Sequence, residues 1–222
     1  MHILFLHKST FIERLLYMRL PFLASFIVFI IWLSYEIKKS RRAIDRQQNA
    51  FWERERQANR TRKKPLDTLD YITIPLHALP MGICSEQPQV AECLDLIRSL
   101  SEQKIVNFTG YSNTDLKLMY GAPNITLLSE YDQNYTLLVR TLQKWASLLH
   151  AQGYVNEAKT ILEFAVSIRT DVSGSYRLLA SIYRMEGTPE KNAGLIETAM
   201  TLNSSMKDVI VRTLQESGQS DG

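Results

Sequence analysis

The stretch LQKWASLLHAQGYVNEAKTILEFAVSIRTDVSGSYRLLASIYRMEGTPEKNAGLIETAMTLNS, residues 142–204, contains one pattern twice. Residues of the same kind recur at a constant offset of 34 positions, the repeat offset. The pairs are Trp145 with Leu179, Ala146 with Ala180, Leu149 with Tyr183, Gly153 with Gly187, Leu162 with Ile196, and Ala165 with Ala199. A repeat of this period, with small residues inside apolar helices, is typical of an array of helix–turn–helix units.

The two units predict four helices, an A and a B helix in each. Their expected ranges are 135–151, 155–168, 175–185 and 189–202. Gly153 and Gly187 end the A helices, because glycine readily adopts the left-handed conformation that follows a helix. Thr188 and Pro189 form a favourable N-cap and first residue for the second B helix.

The residues of this stretch resemble the tetratricopeptide repeat family. The match covers 142–204 and follows the family order of large residue, small residue, Leu or Tyr, Gly, Ala, large residue and Ala. Several positions depart from it: Leu142 and Tyr176 replace the usual Trp, Asn192 an Ala, and Thr170 and Ser204 a Pro. The resemblance implies a right-handed stack of antiparallel helix pairs with a concave face. The departures leave open a related helical repeat of another kind.

The resemblance also implies which residues line the concave face. They are Arg140, Gln143, Ser147, His150, Arg177, Ser181 and Arg184. Arginines in a groove suit a protein partner with an acidic peptide or a C-terminal carboxylate, which Arg can hold with two parallel hydrogen bonds. The alternative is that they are ordinary surface arginines paired with Glu or Asp.

Two units are too few for a stable array, so neighbouring segments must complete the fold. We expect residues 65–134 to form an ordered arm and a degenerate helical unit, and 205–216 to form a capping helix within the repeat region 135–222. Helices are predicted at 88–103, at 114–120 after an Asn113 N-cap, and from Ile125 with a break near 132–134. Short extended pieces at 71–74 and 105–108 are predicted to pair, leaving a mostly α fold with little or no β structure.

The N-terminal part carries a long apolar run, and no residue of 20–35 is charged. Such a run predicts a single transmembrane helix over 20–37, in contact with membrane lipid. Within about twenty residues of it, seven Lys or Arg residues follow and three precede, which predicts an N-terminus outside and a cytoplasmic C-terminal domain. Residues 1–19 form either an interfacial amphipathic helix or an extension upstream of a start at Met18. A buried helix is the alternative to the membrane span.

Charge divides the rest of the chain into two parts. Residues 38–64 contain eleven Lys or Arg against three Asp or Glu, whereas Pro65 to the C-terminus contains twelve against eighteen. The basic part reads as a juxtamembrane helix that ends at Pro65, and either attracts anionic headgroups or serves only as a stop-transfer flank. An acidic repeat region without interleaved basic and aromatic residues argues against nucleic acid as a partner.

No set of catalytic or metal-binding residues stands out. Cys84 and Cys93 fit neither a disulfide framework nor a zinc-ligand spacing, and no two of the four histidines form a spaced metal pair. We therefore predict no enzyme activity, no cofactor and no small-molecule substrate. The enzyme alternative would regain support if residues 107–124 lined a deep polar pocket.

These features together predict a membrane-anchored helical-repeat protein that acts as an adaptor or scaffold for a protein partner at the membrane surface. The alternative is a structural subunit of a membrane translocation or envelope-assembly complex, in which the repeats pack permanently on neighbouring subunits.

Overall fold

The computed structural model describes residues 3–188 and 190–219, with side chains over 25–42, 44–188 and 190–216. The helices of this part are α1 (Ile3–Arg60), α2 (Pro88–Ser101), α3 (Asn113–Tyr120), α4 (Ile125–Ala151), α5 (Val155–Ser167), α6 (Ser173–Met185), α7 (Lys191–Met200) and α8 (Lys207–Gln219). A short 3₁₀ turn, Ala122–Asn124, precedes α4. No described residue lies in a β-strand, in agreement with the mostly helical expectation.

The chain divides into two units, Met1–Gln57 and Ala58–Gly222. The first consists of most of α1. The second contains the last residues of α1 together with α2 to α8, and therefore holds both the predicted arm and the predicted repeats.

The prediction of a transmembrane helix over 20–37 is wrong. Among the described residues, no helix is long and apolar enough to cross a membrane. The predicted span includes Glu36, and Lys38 and Lys39 follow it directly; charged side chains are costly in the hydrocarbon of a bilayer. Residues 20–24 of the predicted span lie outside the described side chains. The single-pass topology and the predicted orientation lose their basis with the span.

The first unit exposes apolar side chains along α1. Ile37, Ile44 and Phe51, which are spaced seven residues apart, are all exposed. Basic and polar side chains surround them, as the composition of 38–64 requires.

In the second unit, α4 to α8 form a stack in which each helix packs on the next. Helix α6 also contacts both α4 and α8, so alternate helices are neighbours as well. Leu142, Tyr176 and Ile210 follow one another at the repeat offset on α4, α6 and α8, and all three are buried. Helix α8 therefore occupies the position of an A helix in a third, incomplete unit.

The paired positions of the repeat form the core of this stack. Every pair except Leu162 with Ile196 and the two glycines is buried on both sides. Gly153 and Gly187 follow α4 and α6 with φ of +87° and +70°. After each glycine, a backbone N–H donates back to the helix, from Tyr154 to the Leu149 oxygen and from Thr188 to the Tyr183 oxygen. These are Schellman motifs, and they turn the chain from each A helix toward its B helix.

The arm between α1 and α4 packs into the same unit. Its residues enter the main core through Ile74, Leu79 and α2, which packs on α4. A second, smaller cluster joins the arm to α3 and the start of α4 through Leu69, Val106, Phe108, Leu116, Leu128 and Tyr131. Where two paired extended pieces were predicted, the Ile72 N–H donates to the Ile105 oxygen at 2.9 Å, without strand geometry.

Helix α4 passes through the predicted break at 132–134 without interruption. The polar side chains there serve tertiary contacts instead. Asp132 Oδ1 accepts from the Phe108 N–H at 3.3 Å, and Asn134 Nδ2 donates to the Lys104 oxygen at 3.1 Å. Helix α4 thus begins at Ile125, well before the predicted start of the A helix at Tyr135.

Several predicted helix ends are displaced. Ser112, not Asn113, caps α3: its hydroxyl accepts from the Asp115 N–H, and the Asp115 carboxylate accepts from the Ser112 N–H. Helix α7 begins at Lys191, and the predicted first residue Pro189 lies outside the described residues.

Helix α1 ends at Arg60, before the predicted Pro65. Residues 61–64 instead bond to the end of α3. The Lys64 N–H donates to the Tyr120 oxygen at 3.0 Å, and the Ala122 N–H donates to the Thr61 oxygen at 3.1 Å. Lys64 Nζ also donates to the Met119 oxygen at 2.8 Å, which places a positive charge at the negative end of α3.

Candidate functional site

The predicted groove residues form two matching stripes on α4 and α6. On α4 they stand at 140, 143, 147 and 150, and the positions related to these by the repeat offset are 174, 177, 181 and 184 on α6. Spacings of three and four keep each set on one helix face. Gly174 completes the second stripe at the position that corresponds to Arg140.

Gln143 joins the two stripes. Its Nε2 donates to Ser147 Oγ at 3.0 Å on the same helix, and its Oε1 accepts from Ser175 Oγ at 2.7 Å on α6. Gly174 lies against the same amide: a Cβ at this position would be 3.0 Å from Gln143 Nε2. The absence of a side chain at Gly174 therefore leaves room for the Gln143 amide at this point.

The other stripe residues differ in exposure. Arg140, Ser147, Arg177 and Arg184 are exposed, whereas His150 and Ser181 are half-buried. Ser181 Oγ donates to the Leu178 oxygen of its own helix. Arg140 and Arg177 form no ion pair or side-chain hydrogen bond with any described residue, so no acidic neighbour neutralises them. Arg184 does have an interaction partner.

A concave surface that the sequence did not reveal is a cleft of about 480 Å³. Four separate segments line it: 70–73, 107–111, 167–169 and 201–203. Two of these segments, 167–169 and 201–203, occupy equivalent positions in the two repeats. They are separated by the repeat offset and lie at the ends of α5 and α7. The cleft thus lies where the two B helices end, beside the arm. The enzyme alternative named a polar pocket along 107–124, and Asn107, Thr109 and Tyr111 do line this cleft.

Beneath the cleft, Asn107 and Tyr135 fix the end of α5. Asn107 Nδ2 donates to Tyr135 Oη at 2.9 Å, and the Tyr135 hydroxyl donates to the Arg169 oxygen at 2.9 Å. Asn107 Oδ1 accepts from the Thr109 N–H at 2.9 Å. One amide and one hydroxyl therefore hold the 107–109 segment against the turn that follows α5.

The electrostatic environment under the cleft is negative. Burial, and then the nearby Asp171 carboxylate, raise the pKa of Tyr135 well above its usual value. Burial also raises the pKa of Asp132, and Asp171 adds to the effect while the Phe108 N–H opposes it. Asp171 Oδ2 accepts from Ser204 Oγ at 2.7 Å, and this hydrogen bond links the ends of the two sequence repeats. The C-termini of α5 and α7 add partial negative charge here.

Arg169 adopts an unusual backbone conformation at the rim of the cleft. It follows α5 with φ of +60°, and the Thr170 N–H donates to the Ala165 oxygen. This is the same motif that Gly153 and Gly187 form after α4 and α6. A residue with a Cβ costs about 1 kcal/mol or more in this conformation, which glycine adopts freely.

Tyr176 allows the effect of a buried hydroxyl group on the pH dependence of stability to be tested in this region. Its side chain is 0% exposed, and its hydroxyl has no hydrogen-bond partner among the described residues. Burial, and then Asp171, raise its pKa from 10.0 to about 12. Above pH 10 the unfolded chain loses this proton while the folded chain keeps it, so stability falls up to about pH 12. The slope is at most about 1.4 kcal/mol per pH unit.

Tyr176→Phe should therefore be nearly neutral at pH 7, because the hydroxyl satisfies no partner. It should also lose less stability than the original chain between pH 9 and 11. Urea unfolding at several pH values measures both effects. An identical alkaline slope in the two proteins would contradict the assignment.

Among the described residues, no group of three or more His, Cys, Asp or Glu side chains is placed to hold a metal ion. Comparisons of the chain with protein-family models, with curated proteins and with solved structures found no match. The stripes and the cleft must therefore be interpreted from their own geometry.

Proposed function

We propose that this protein is a tetratricopeptide-like interaction module, which binds an acidic segment of a protein partner on the face formed by α4 and α6. The observation that supports this most directly is the pair of exposed, un-neutralised arginines, Arg140 and Arg177, on two helices that Gln143 joins.

The stacking of the helices supports an extended binding face. Alternate helices α4, α6 and α8 are neighbours, so side chains that recur at the repeat offset form rows across them. Elongated concave surfaces of this kind are how helical-repeat proteins bind their partners. The Gln143 amide lies against Gly174, so the two stripes are in contact at this point.

The charge distribution supports an acidic partner. The chain from Pro65 onward carries eighteen acidic and twelve basic residues, so the arginines of the stripes are a local positive feature on an acidic region. Guanidinium groups bind carboxylates with two parallel hydrogen bonds, and an arginine without an internal partner has all its donors available.

The test is a binding experiment with the full chain and immobilised peptides that differ only in their Asp and Glu content. We expect acidic peptides to be preferred, and the preference to weaken as salt increases. Arg140→Glu/Arg177→Glu should lower the affinity for acidic peptides about tenfold or more, because two attractive contacts become repulsive.

The matched control is Arg62→Glu/Arg212→Glu, which changes the net charge equally at two arginines outside the stripes. Equal losses in the two double variants would show that only net charge matters, and would overturn the assignment of this face. A stable stoichiometric complex that survives Arg140→Glu/Arg177→Glu would instead favour the structural-subunit alternative.

A further inference from the structure

We propose that the cleft at the ends of the two B helices binds a small zwitterion of the amino-acid or short-peptide class. Its carboxylate contacts the Arg169 guanidinium, and its ammonium group contacts the Asp70 carboxylate. This site is separate from the α4–α6 face and does not depend on the function proposed for it.

The polar groups that line the cleft fall into two sets. The first set is already used by the fold: Asn107 holds Tyr135, Ser167 Oγ donates to the Phe164 oxygen, and Thr201 Oγ1 donates to the Thr198 oxygen. These groups stiffen the walls. A pre-formed wall lowers the entropy lost when a ligand binds.

The second set has no partner among the described residues. It comprises the side-chain polar groups of Asp70, Thr73, Thr109, Tyr111, Arg169 and Asn203. Asp70 and Arg169 do not form a salt bridge with each other, so both keep their charge available. A concave surface on which a few uncommitted polar groups converge is the usual form of a small-molecule site.

Opposite charges on one cleft define the class of ligand. An anion alone would meet the Asp70 carboxylate and the negative helix ends, and a cation alone would meet Arg169. A molecule with one group of each sign satisfies both. The volume of about 480 Å³ falls within the range of known ligand sites.

The conformation of Arg169 is a second argument for its role. Helices α4 and α6 end in the same motif with glycine, the residue that suits it, whereas α5 ends with an arginine whose guanidinium the fold does not use. A strained residue whose side chain has no partner in the fold points to a function for that side chain.

The experiment is calorimetric titration of the full chain with tri-alanine, N-acetyl-tri-alanine, tri-alanine amide and free alanine. We expect tri-alanine to bind, and each blocked form to bind about tenfold more weakly, because each loses one charge-assisted contact. Free alanine that binds as well as tri-alanine would identify an amino-acid site, and weaker binding of alanine would identify a peptide site. Failure of both tri-alanine and alanine to bind at millimolar concentration would overturn the proposal.

Arg169→Gly separates ligand binding from folding, because its two effects have opposite signs. The variant should raise the midpoint of thermal unfolding by about 2–4 °C, by removing the strained Cβ, and should weaken tri-alanine binding about tenfold.

Asp70→Asn should weaken the binding of tri-alanine but not the binding of N-acetyl-tri-alanine. The matched controls are Arg212→Gly and Glu197→Gln, which change charges outside the cleft. Tri-alanine binding that is equal in Arg169→Gly and Arg212→Gly would refute the proposal.

Discussion

Replacement of Gly110 by alanine is expected to destabilise the protein by about 2–5 kcal/mol, from a left-handed backbone and a steric clash together. Gly110 has φ of +86°, and a Cβ there would lie 2.0 Å from the Asn203 backbone oxygen. Neither the glycine nor that carbonyl can move without opening the contact between the 107–111 segment and the turn after α7. Chemical denaturation monitored by circular dichroism measures the loss.

Gly153→Ala is the matched control, because it separates conformational strain from the clash. Gly153 has nearly the same φ, +87°, but no atom lies within 4 Å of its missing Cβ. Its replacement should cost only about 1–2 kcal/mol. If both variants lose the same stability, the close approach of Gly110 to Asn203 contributes nothing, and the description of this contact is wrong.

Trp145→Ala should have the other large effect, a loss of about 3–5 kcal/mol. Trp145 is 0% exposed and heads the largest fully buried side chains of the core. It packs within the cluster that joins the arm, α2 and the repeats, so the cavity would lie at the centre of the second unit. The free energy of unfolding from urea titration, read by circular dichroism, measures the effect.

Two further variants sharpen this result. Trp145→Phe should lose much less, because an aromatic ring remains and the buried Nε1–H, which has no hydrogen-bond partner among the described residues, is removed. Trp52→Ala on α1, where the side chain is 55% exposed, should change stability by about 0.5 kcal/mol or less. A loss below about 1 kcal/mol for Trp145→Ala would contradict the central place of this residue.

The repeat region was the most predictable part of the fold, for a physical reason. Small and large residues recur in it with a single offset, so the sequence of each helix indicates which of its faces is buried. Gly153 and Gly187 could be assigned from sequence because left-handed positions after helices strongly favour glycine. The corresponding turn at Arg169 could not, since an arginine gives no local signal of a positive φ.

The prediction of local structure was wrong where polar residues form tertiary hydrogen bonds. Asp132 and Asn134 resemble a helix break, yet both satisfy backbone groups of the 104–108 segment, and α4 continues through them. The pairing of extended pieces was predicted from β-prone residues, but the hydrogen bond from Ile72 to Ile105 does not extend into strands. Long-range partners of this kind are not visible in a local pattern.

The two candidate sites also differ in how much of each could be predicted from the sequence. The stripes on α4 and α6 follow from helical spacing, although the Gln143–Ser175 hydrogen bond that joins them required the structure. The cleft combines four segments that lie far apart in the chain, and only the correspondence of 167–169 with 201–203 hinted at a shared location. The transmembrane prediction relied on a count of apolar residues, whereas no helix among the described residues is long and apolar enough to cross a membrane.

The hydrogen bonds of residues 61–64 determine where a fragment that keeps the contacts of the second unit must begin. Ala58 is 0% exposed, and Asn124 Nδ2 donates to the Lys64 oxygen at 2.8 Å. A fragment that starts at Pro65, the boundary suggested by the end of the basic segment, would discard both contacts and leave a buried amide with one partner fewer. The shortest fragment that retains every contact of the repeat-bearing unit begins at Ala58, within the last turn of a helix whose other residues belong to the first unit.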